Sequence, residues 1–302
     1  MKLLIALLLT ALSLAFPAGL QAQPAQAPAG QQQEKRQITD PAEYNAYVAA
    51  LNEADPAKKA QLLTDFLAKY PNTAVKEDAL ELKLVAQLQA GQNVEATARE
   101  LLKVNPNNMR GMILSSNVFI QTPLSESDPA FQQKLNEAEQ VGRRGLEQLP
   151  QFSPPGVNPD DLKRTKDAAA ATFHQALGVV NMGRKNYENA QKEFRQAAEL
   201  APQDAAAFYR LGNAYISERP APKYNEAFWA FARAVALDGP GALPPAGRQQ
   251  VDAYVRKIYT QYHGSEEGLE QLKQQAKAEA FPPAGFKVCL LYTSPSPRDR
   301  TR

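Results

Sequence analysis

The sequence predicts an all-α protein, an array of about five antiparallel helical hairpins. Two observations lead to this prediction: apolar residues recur at helical spacing along most of the chain, and the stretch 170–203 occurs a second time. Its first half returns after 34 residues and its second half after 37, at the pairs Leu177/Leu211, Gly178/Gly212, Tyr187/Tyr224, Ala190/Ala227, Phe194/Phe231, Ala197/Ala234 and Leu200/Leu237. Three extra residues in the turn 219–222 explain the difference, because a turn tolerates such an insertion at low cost.

This pattern resembles the tetratricopeptide repeat, whose consensus is W-x2-L-G-x2-Y…A-x3-F…P over about 34 residues. Leu211-Gly212, Tyr215 and the two A-x3-F pairs match, with Phe208 in place of Trp; His174, Asn181 and Gly239-Pro240 depart from the consensus. The resemblance implies a tetratricopeptide-repeat α-solenoid, in which stacked hairpins bury a shared core and first helices line a concave binding face. Residues 161–239 hold the two clear repeats.

Residues 39–150 predict divergent repeats that precede the clear ones. Asp40 and Pro41 provide a helix start, since Asp is a good N-cap and Pro fits the first helical position. Further helices are predicted at 57–69, in a hairpin over 75–104, and at 109–120 and 129–149. We expect inward-facing apolar side chains at Tyr44, Tyr47, Val48, Leu51, Leu62, Leu63, Phe66, Leu67, Leu80, Leu84, Val85 and Leu88.

Two Pro/Gly-rich stretches divide the rest of the chain. Residues 151–160 are predicted to be a loop and hinge, followed by a helix capped by Asp160 or Asp161. Residues 240–288 predict a terminal helical hairpin and a Pro-rich exit. We expect its first helix over 249–262, with Tyr254 inward, and a last helix capped by Ser265.

The N-terminal residues have the pattern of an export signal. Residues 3–16 form a short apolar run after Met1-Lys2, and Leu20-Gln21-Ala22 fits a cleavage site, so residues 1–22 are interpreted as a signal peptide. An uncleaved N-terminal anchor is the alternative. Residues 23–38 are Gln-, Ala- and Pro-rich and predict a disordered leader, because they hold too little apolar surface to fold. We expect an exported chain, periplasmic or secreted, with no transmembrane segment after cleavage.

The last residues resemble a translated sequencing adapter. Residues 289–299 read CLLYTSPSPRD, which matches the in-frame translation of an adapter used in DNA library preparation. Residues 289–302 are therefore interpreted as an adapter-derived artefact, with a genuine basic tail as the alternative. Under the first interpretation, the natural protein continues past Val288.

Trimming both ends changes the charge and the cysteine content. The 34 basic residues fall to 30 and the 32 acidic residues to 31, so a net charge of +2 becomes −1. That balance gives no support to nucleic-acid binding. The single cysteine, Cys289, lies in the adapter-like tail, so residues 23–288 must be stabilised by packing without disulfides.

No constellation of residues predicts catalysis, a cofactor or a metal site. The chain has two histidines: His174 takes the position of a packed aromatic residue in the repeat, and His263 ends a predicted helix. The sequence contains no nucleophile elbow, phosphate-binding loop or dinucleotide fingerprint, and no His, Asp or Glu spacing typical of a metal site. We therefore expect a protein that is not an enzyme.

The candidate binding residues follow from the resemblance. First helices of repeats line the concave face, so their non-packing residues are the binding candidates: Gln175, Val179, Met182, Tyr209, Arg210, Asn213 and Ile216. Arg210 and Asn213 could hold a peptide carboxylate or backbone, whereas Gln175 and Val179 stand where a carboxylate clamp needs a basic residue and Asn. Solvation or packing on a neighbouring repeat is the alternative for all seven residues.

These observations lead to three hypotheses of function. The first is a non-enzymatic protein-interaction scaffold of the bacterial cell envelope, which binds a peptide or protein segment on the concave face. The second is a structural accessory subunit of an outer-membrane, cell-wall or secretion assembly that uses hairpin edges. The third is an interaction domain of a longer protein truncated at about residue 288.

Overall fold

The computed structural model describes residues 38–154 and 156–289, which form twelve α-helices, one 3-10 helix and no β-strand. The predicted all-α array is therefore confirmed, with two helices more than five hairpins require. The described residues divide into two compact units, the N-terminal unit up to Val118 and the C-terminal unit from Phe119. The loop 151–160 lies inside the C-terminal unit, and its role as a hinge stays a prediction. The signal peptide 1–22, the leader up to residue 37 and the tail from 290 lie outside the described residues.

The N-terminal unit consists of five helices, the last of which crosses the boundary at residue 118. They are α1 Pro41–Asn52, α2 Pro56–Lys69, α3 Lys76–Gln89, α4 Glu95–Val104 and α5 Met109–Gln121. Asp40 caps α1 through the Ala42 N–H, and Asp55 caps α2 through the Lys58 N–H, as the Asp-Pro start predicts. Leu63 and Phe66 of α2 pack with Leu80 and Leu84 of α3 in a shared apolar core.

Four side chains that the apolar pattern places inward are exposed instead. Tyr44 and Leu51 of α1 are 54% and 39% exposed, Leu62 of α2 is 37% exposed, and Leu88 of α3 is 45% exposed. The inward prediction was wrong for these residues. The reason in α1 is that Ala50 is its sole fully buried side chain, so one narrow strip of the helix meets the core.

The C-terminal unit contains the 3-10 helix Leu149–Gln151 and seven further helices. These are α6 Phe131–Gln148, α7 Pro159–Gly183, α8 Tyr187–Leu200, α9 Ala205–Ser217, α10 Tyr224–Ala236, α11 Pro245–His263 and α12 Leu269–Ala278. Asn158, rather than Asp160 or Asp161, caps α7, and its side chain accepts the Asp161 N–H. Helix α12 starts at Leu269, because Gly268 takes a left-handed conformation just before it.

In this unit, a glycine on one helix packs against a phenylalanine ring of the next helix. A Cβ atom on Gly178 of α7 would lie 2.4 Å from the Phe194 ring of α8, and one on Gly212 of α9 would lie 2.7 Å from the Phe231 ring of α10. Gly145 of α6 likewise receives the Phe173 ring of α7. The repeat glycines therefore lie where two helices approach closely, and phenylalanine fills the space that each glycine leaves.

One aromatic position differs from the repeat pattern. Phe173, not His174, supplies the fully buried ring of α7. His174 is partly exposed, and its Nδ1 lies 2.8 Å from a carboxylate oxygen of Glu193 on α8. The residue next to the consensus position therefore supplies the packed ring.

Ion pairs link the last two helices. Both α11 and α12 pack on α10, and a cleft of about 740 Å³ lies between them. Arg256 of α11 pairs with Glu266 at 2.8 Å and with Glu270 of α12, while Lys273 of α12 pairs with Asp252 of α11.

Candidate functional site

The candidate binding residues lie on one side of α7 and α9, which we call the α7–α9 face; its members are Gln175, Val179, Met182, Tyr209, Arg210, Asn213 and Ile216. In α9, Phe208, Leu211 and Gly212 turn into the core, so the residues between them point to the other side. The structure therefore brings the α9 candidates together on one helix face, and the role of this face in binding stays a prediction.

A hydrogen-bonded network fixes Arg210. The Arg210 Nη1 donates to the Gln175 side-chain oxygen at 2.6 Å, and the Gln175 amide nitrogen donates to the Asp204 carboxylate at 2.8 Å. Asp204 also caps α9 by accepting the Ala206 N–H at 2.9 Å. Burial lowers the pKa of the Arg210 guanidinium, and the nearby Asp204 charge acts in the opposite direction. Arg210 stays a cation, since arginine is protonated in proteins at any ordinary pH.

Gln175 supports the site without being free to bind. It is 7% exposed, and its side-chain oxygen and nitrogen are both engaged in the network. Its role is to connect α7 to α9 and to hold the guanidinium in one place. The repeat pattern places Gln175 on the face. Its hydrogen bond to Arg210 could not be predicted from the pattern, because the two residues are 35 positions apart in the sequence.

Asn213 is the polar side chain of the face that remains available. It lies one turn after Arg210 on α9, is partly exposed, and makes no hydrogen bond within the described residues. An amide in this state can donate and accept at the same time, which suits the backbone of an extended peptide. Arg210 and Asn213 together present a fixed cation and an uncommitted amide.

Two tyrosines flank this polar pair. The Tyr209 ring lies 6.0 Å from the buried Phe231 ring, and the Tyr254 ring of α11 lies 5.6 Å from the same ring. Burial and the neighbouring Tyr209 and Tyr224 hydroxyls raise the pKa of Tyr254. Tyr254 is 39% exposed, so the prediction that it faces inward was wrong. The repeat pattern ends before α11, so no sequence signal indicated that Tyr254 lies near the candidate binding residues.

The three aliphatic candidates contribute apolar surface. Val179, Met182 and Ile216 are half-buried and pack on the core of the C-terminal unit. They therefore act partly as packing residues, and their outer atoms give the face an apolar lining.

The described residues contain no arrangement typical of a metal site. Within 38–154 and 156–289, no three His, Cys, Asp or Glu side chains form a group that could hold a metal ion. His174 contacts Glu193, and the Nδ1 atom of His263 contacts the Cys289 carbonyl oxygen.

Among the helices described, none combines the length and apolar character that crossing a membrane requires. The chemistry offered by the α7–α9 face is binding by a cation, an amide and aromatic rings.

Comparison with known proteins gives limited matches. No protein-family model matches the sequence. Superkiller protein 3 of Schizosaccharomyces pombe is 37% identical over 79 residues, which is 26% of this chain and 5% of that protein. A solved thermophilic TPR protein of Thermus thermophilus is 14% identical and superposes with a TM-score of 0.35, over 78% of this chain and 100% of that one. The description of the fold therefore rests on the helices and contacts given above.

Proposed function

We propose that this chain is a non-enzymatic protein-interaction module that binds a peptide or protein segment on the α7–α9 face. The observation that carries this proposal is the network that holds Arg210 beside the uncommitted amide of Asn213. A side chain fixed before binding loses less conformational entropy when a ligand arrives. Tyr209 and Tyr254 add aromatic surface, which is enriched at binding interfaces.

The test uses the full chain as bait in a crosslinking experiment on cell extract. Tyr209, Arg210 and Asn213 are replaced together by alanine, and we expect the captured partner to be lost. The matched control replaces Asn189, Lys192 and Gln196, three exposed residues of α8, by alanine and should keep the partner. Helicity and thermal unfolding are measured for both variants, because Arg210→Ala also leaves Gln175 without its donor.

A single substitution removes that complication. Asn213→Ala breaks no hydrogen bond within the described residues, so its effect reports on the ligand. We expect it to weaken binding by about 1 kcal/mol, or roughly fivefold. If the triple variant and the single variant both bind as well as the unchanged chain, the α7–α9 face is not the binding site.

We further propose that the chain is exported and acts in the cell envelope. The apolar run at 3–16 and the Leu20-Gln21-Ala22 sequence support this proposal. Expression from Met1, cell fractionation and mass determination of the mature chain test it. A product that begins at Gln23 in the envelope fraction is the expected result, whereas an intact Met1 in the cytosolic fraction would contradict it.

One observation favours the structural accessory role as a second candidate. Tyr44 and Leu51 are exposed seven residues apart on α1, so they lie on one stripe at the edge of the N-terminal unit. Replacing both by serine should weaken a partner that docks on hairpin edges and leave binding at the α7–α9 face unchanged. The opposite pattern would exclude this role.

A further inference from the structure

The residues after α12 lie across the helices instead of leaving the fold. We call Phe281–Val288 the strap. The Phe281 ring is 5.8 Å from the Phe208 ring, and the Arg195 guanidinium lies 4.2 Å above it. At the other end, the Phe286 ring meets Trp229 edge-on at 4.9 Å. The strap therefore has two aromatic anchors five residues apart.

Few backbone hydrogen bonds hold the strap. Its Val288 N–H donates to the Asn225 side-chain oxygen at 2.9 Å, and the Phe286 N–H donates to the Pro283 carbonyl at 3.1 Å within the strap itself. Just before the strap, the Trp229 indole N–H donates to the Glu279 carbonyl at 3.2 Å. Side chains seated on aromatic surfaces, with proline between them, are typical of a bound linear peptide.

We propose that Arg195, Phe208, Asn225 and Trp229 form a second peptide-binding site, which the strap occupies in cis. Its ligand class is an extended, proline-containing segment of a partner protein, with two aromatic residues five positions apart. This site uses none of the residues that define the α7–α9 face and does not depend on the function proposed there. The tethered strap competes with such a partner, because tethering gives it an effective concentration in the millimolar range.

Trp229 provides the readout, because it is the single tryptophan of the chain and lies under Phe286. The full chain carrying Phe281→Ala and Phe286→Ala should show red-shifted emission. A synthetic peptide AFPPAGFKV, the sequence of residues 280–288, should reverse the shift in a saturable manner. The peptide with both phenylalanines replaced by alanine should bind at least about tenfold more weakly.

Two further variants keep the result interpretable. Lys287→Ala changes an exposed residue of the strap and should leave the emission unchanged. Phe286→Ala alone keeps the Phe281 anchor and leaves Asn225 in place, so it serves if the double variant loses helicity. A helical double variant or Phe286→Ala variant that shows no saturable response up to millimolar peptide would overturn the proposal. A dimer that disappears on Phe286→Ala would also overturn the proposal, because the site would then bind the strap of a second copy of this chain.

Discussion

Replacing Gly178 by alanine tests the contact that defines the first clear repeat. The new Cβ atom would lie 2.4 Å from Cε1 of Phe194, a separation that real Cβ contacts do not show. Phe194 is 1% exposed and is enclosed between α7 and α8, so its ring cannot turn into solvent. We therefore expect the hairpin to be forced apart or the ring to leave its preferred rotamer.

The expected size follows from two opposing effects. Overpacking a filled core costs about 1–3 kcal/mol. Alanine in place of glycine in a helix interior returns about 0.5–1 kcal/mol. The net loss for Gly178→Ala is therefore about 0–2.5 kcal/mol, and its central value of about 1 kcal/mol corresponds to a fall of about 2–4 °C in Tm for a unit of this size.

Urea unfolding followed by Trp229 fluorescence measures this loss in the C-terminal unit. Gly247→Ala is the matched control, because the nearest atom to its Cβ, in Pro244, lies at an ordinary 3.7 Å. The same substitution there should be neutral or stabilising by about 0.5 kcal/mol.

A double variant examines the proposed cause directly. Gly178→Ala combined with Phe194→Leu should be more stable than the sum of the two single changes predicts, because leucine leaves room for the added methyl group. If Gly178→Ala is as harmless as Gly247→Ala, or if the double variant shows no coupling, the glycine–phenylalanine contact does not set the helix separation.

The remaining predictions concern charges and buried polar groups. Burial raises the pKa of Asp252, but hydrogen bonds from Lys273 and Arg256 outweigh it and lower the pKa below its ordinary value of 3.8. Because the pKa of Asp252 is lower in the folded state than in the unfolded state, the ionised carboxylate stabilises the fold at pH values above 3.8. This stability is lost as the pH falls through the folded-state pKa. The urea midpoint should therefore drop on acidification, and it should drop less in Asp252→Asn. Arg233→Leu should cost about 2 kcal/mol or more in urea unfolding, because the buried guanidinium donates to the carbonyls of Ala276, Lys277 and Pro202 at 2.8–2.9 Å; Arg233→Lys should rescue little of this loss. Gln175→Ala should cost about 1 kcal/mol, and an unchanged midpoint would contradict the role given to that network.

The terminal strap illustrates what sequence spacing could not supply. The pattern FPPAGF predicts a non-helical segment, and the structure confirms it. Its seat on Trp229 and Asn225 joins residues about 60 positions apart, with no repeat to set their register. Trp229 is 2% exposed and meets the Phe286 ring edge-on, a contact that no spacing along the chain predicts.

The sequence by itself determined the helices and the two clear repeats. These features depend on local periodicity and on the alternation of small and large residues within one hairpin. Both can be read from one sequence without an alignment. The tertiary structure alone decided that Tyr44 and Tyr254 are exposed. It also decided that the Gln175 side chain is hydrogen-bonded to Arg210 and Asp204. Such outcomes depend on which neighbouring helix covers each face, and that is fixed by contacts between distant residues rather than by spacing along the chain.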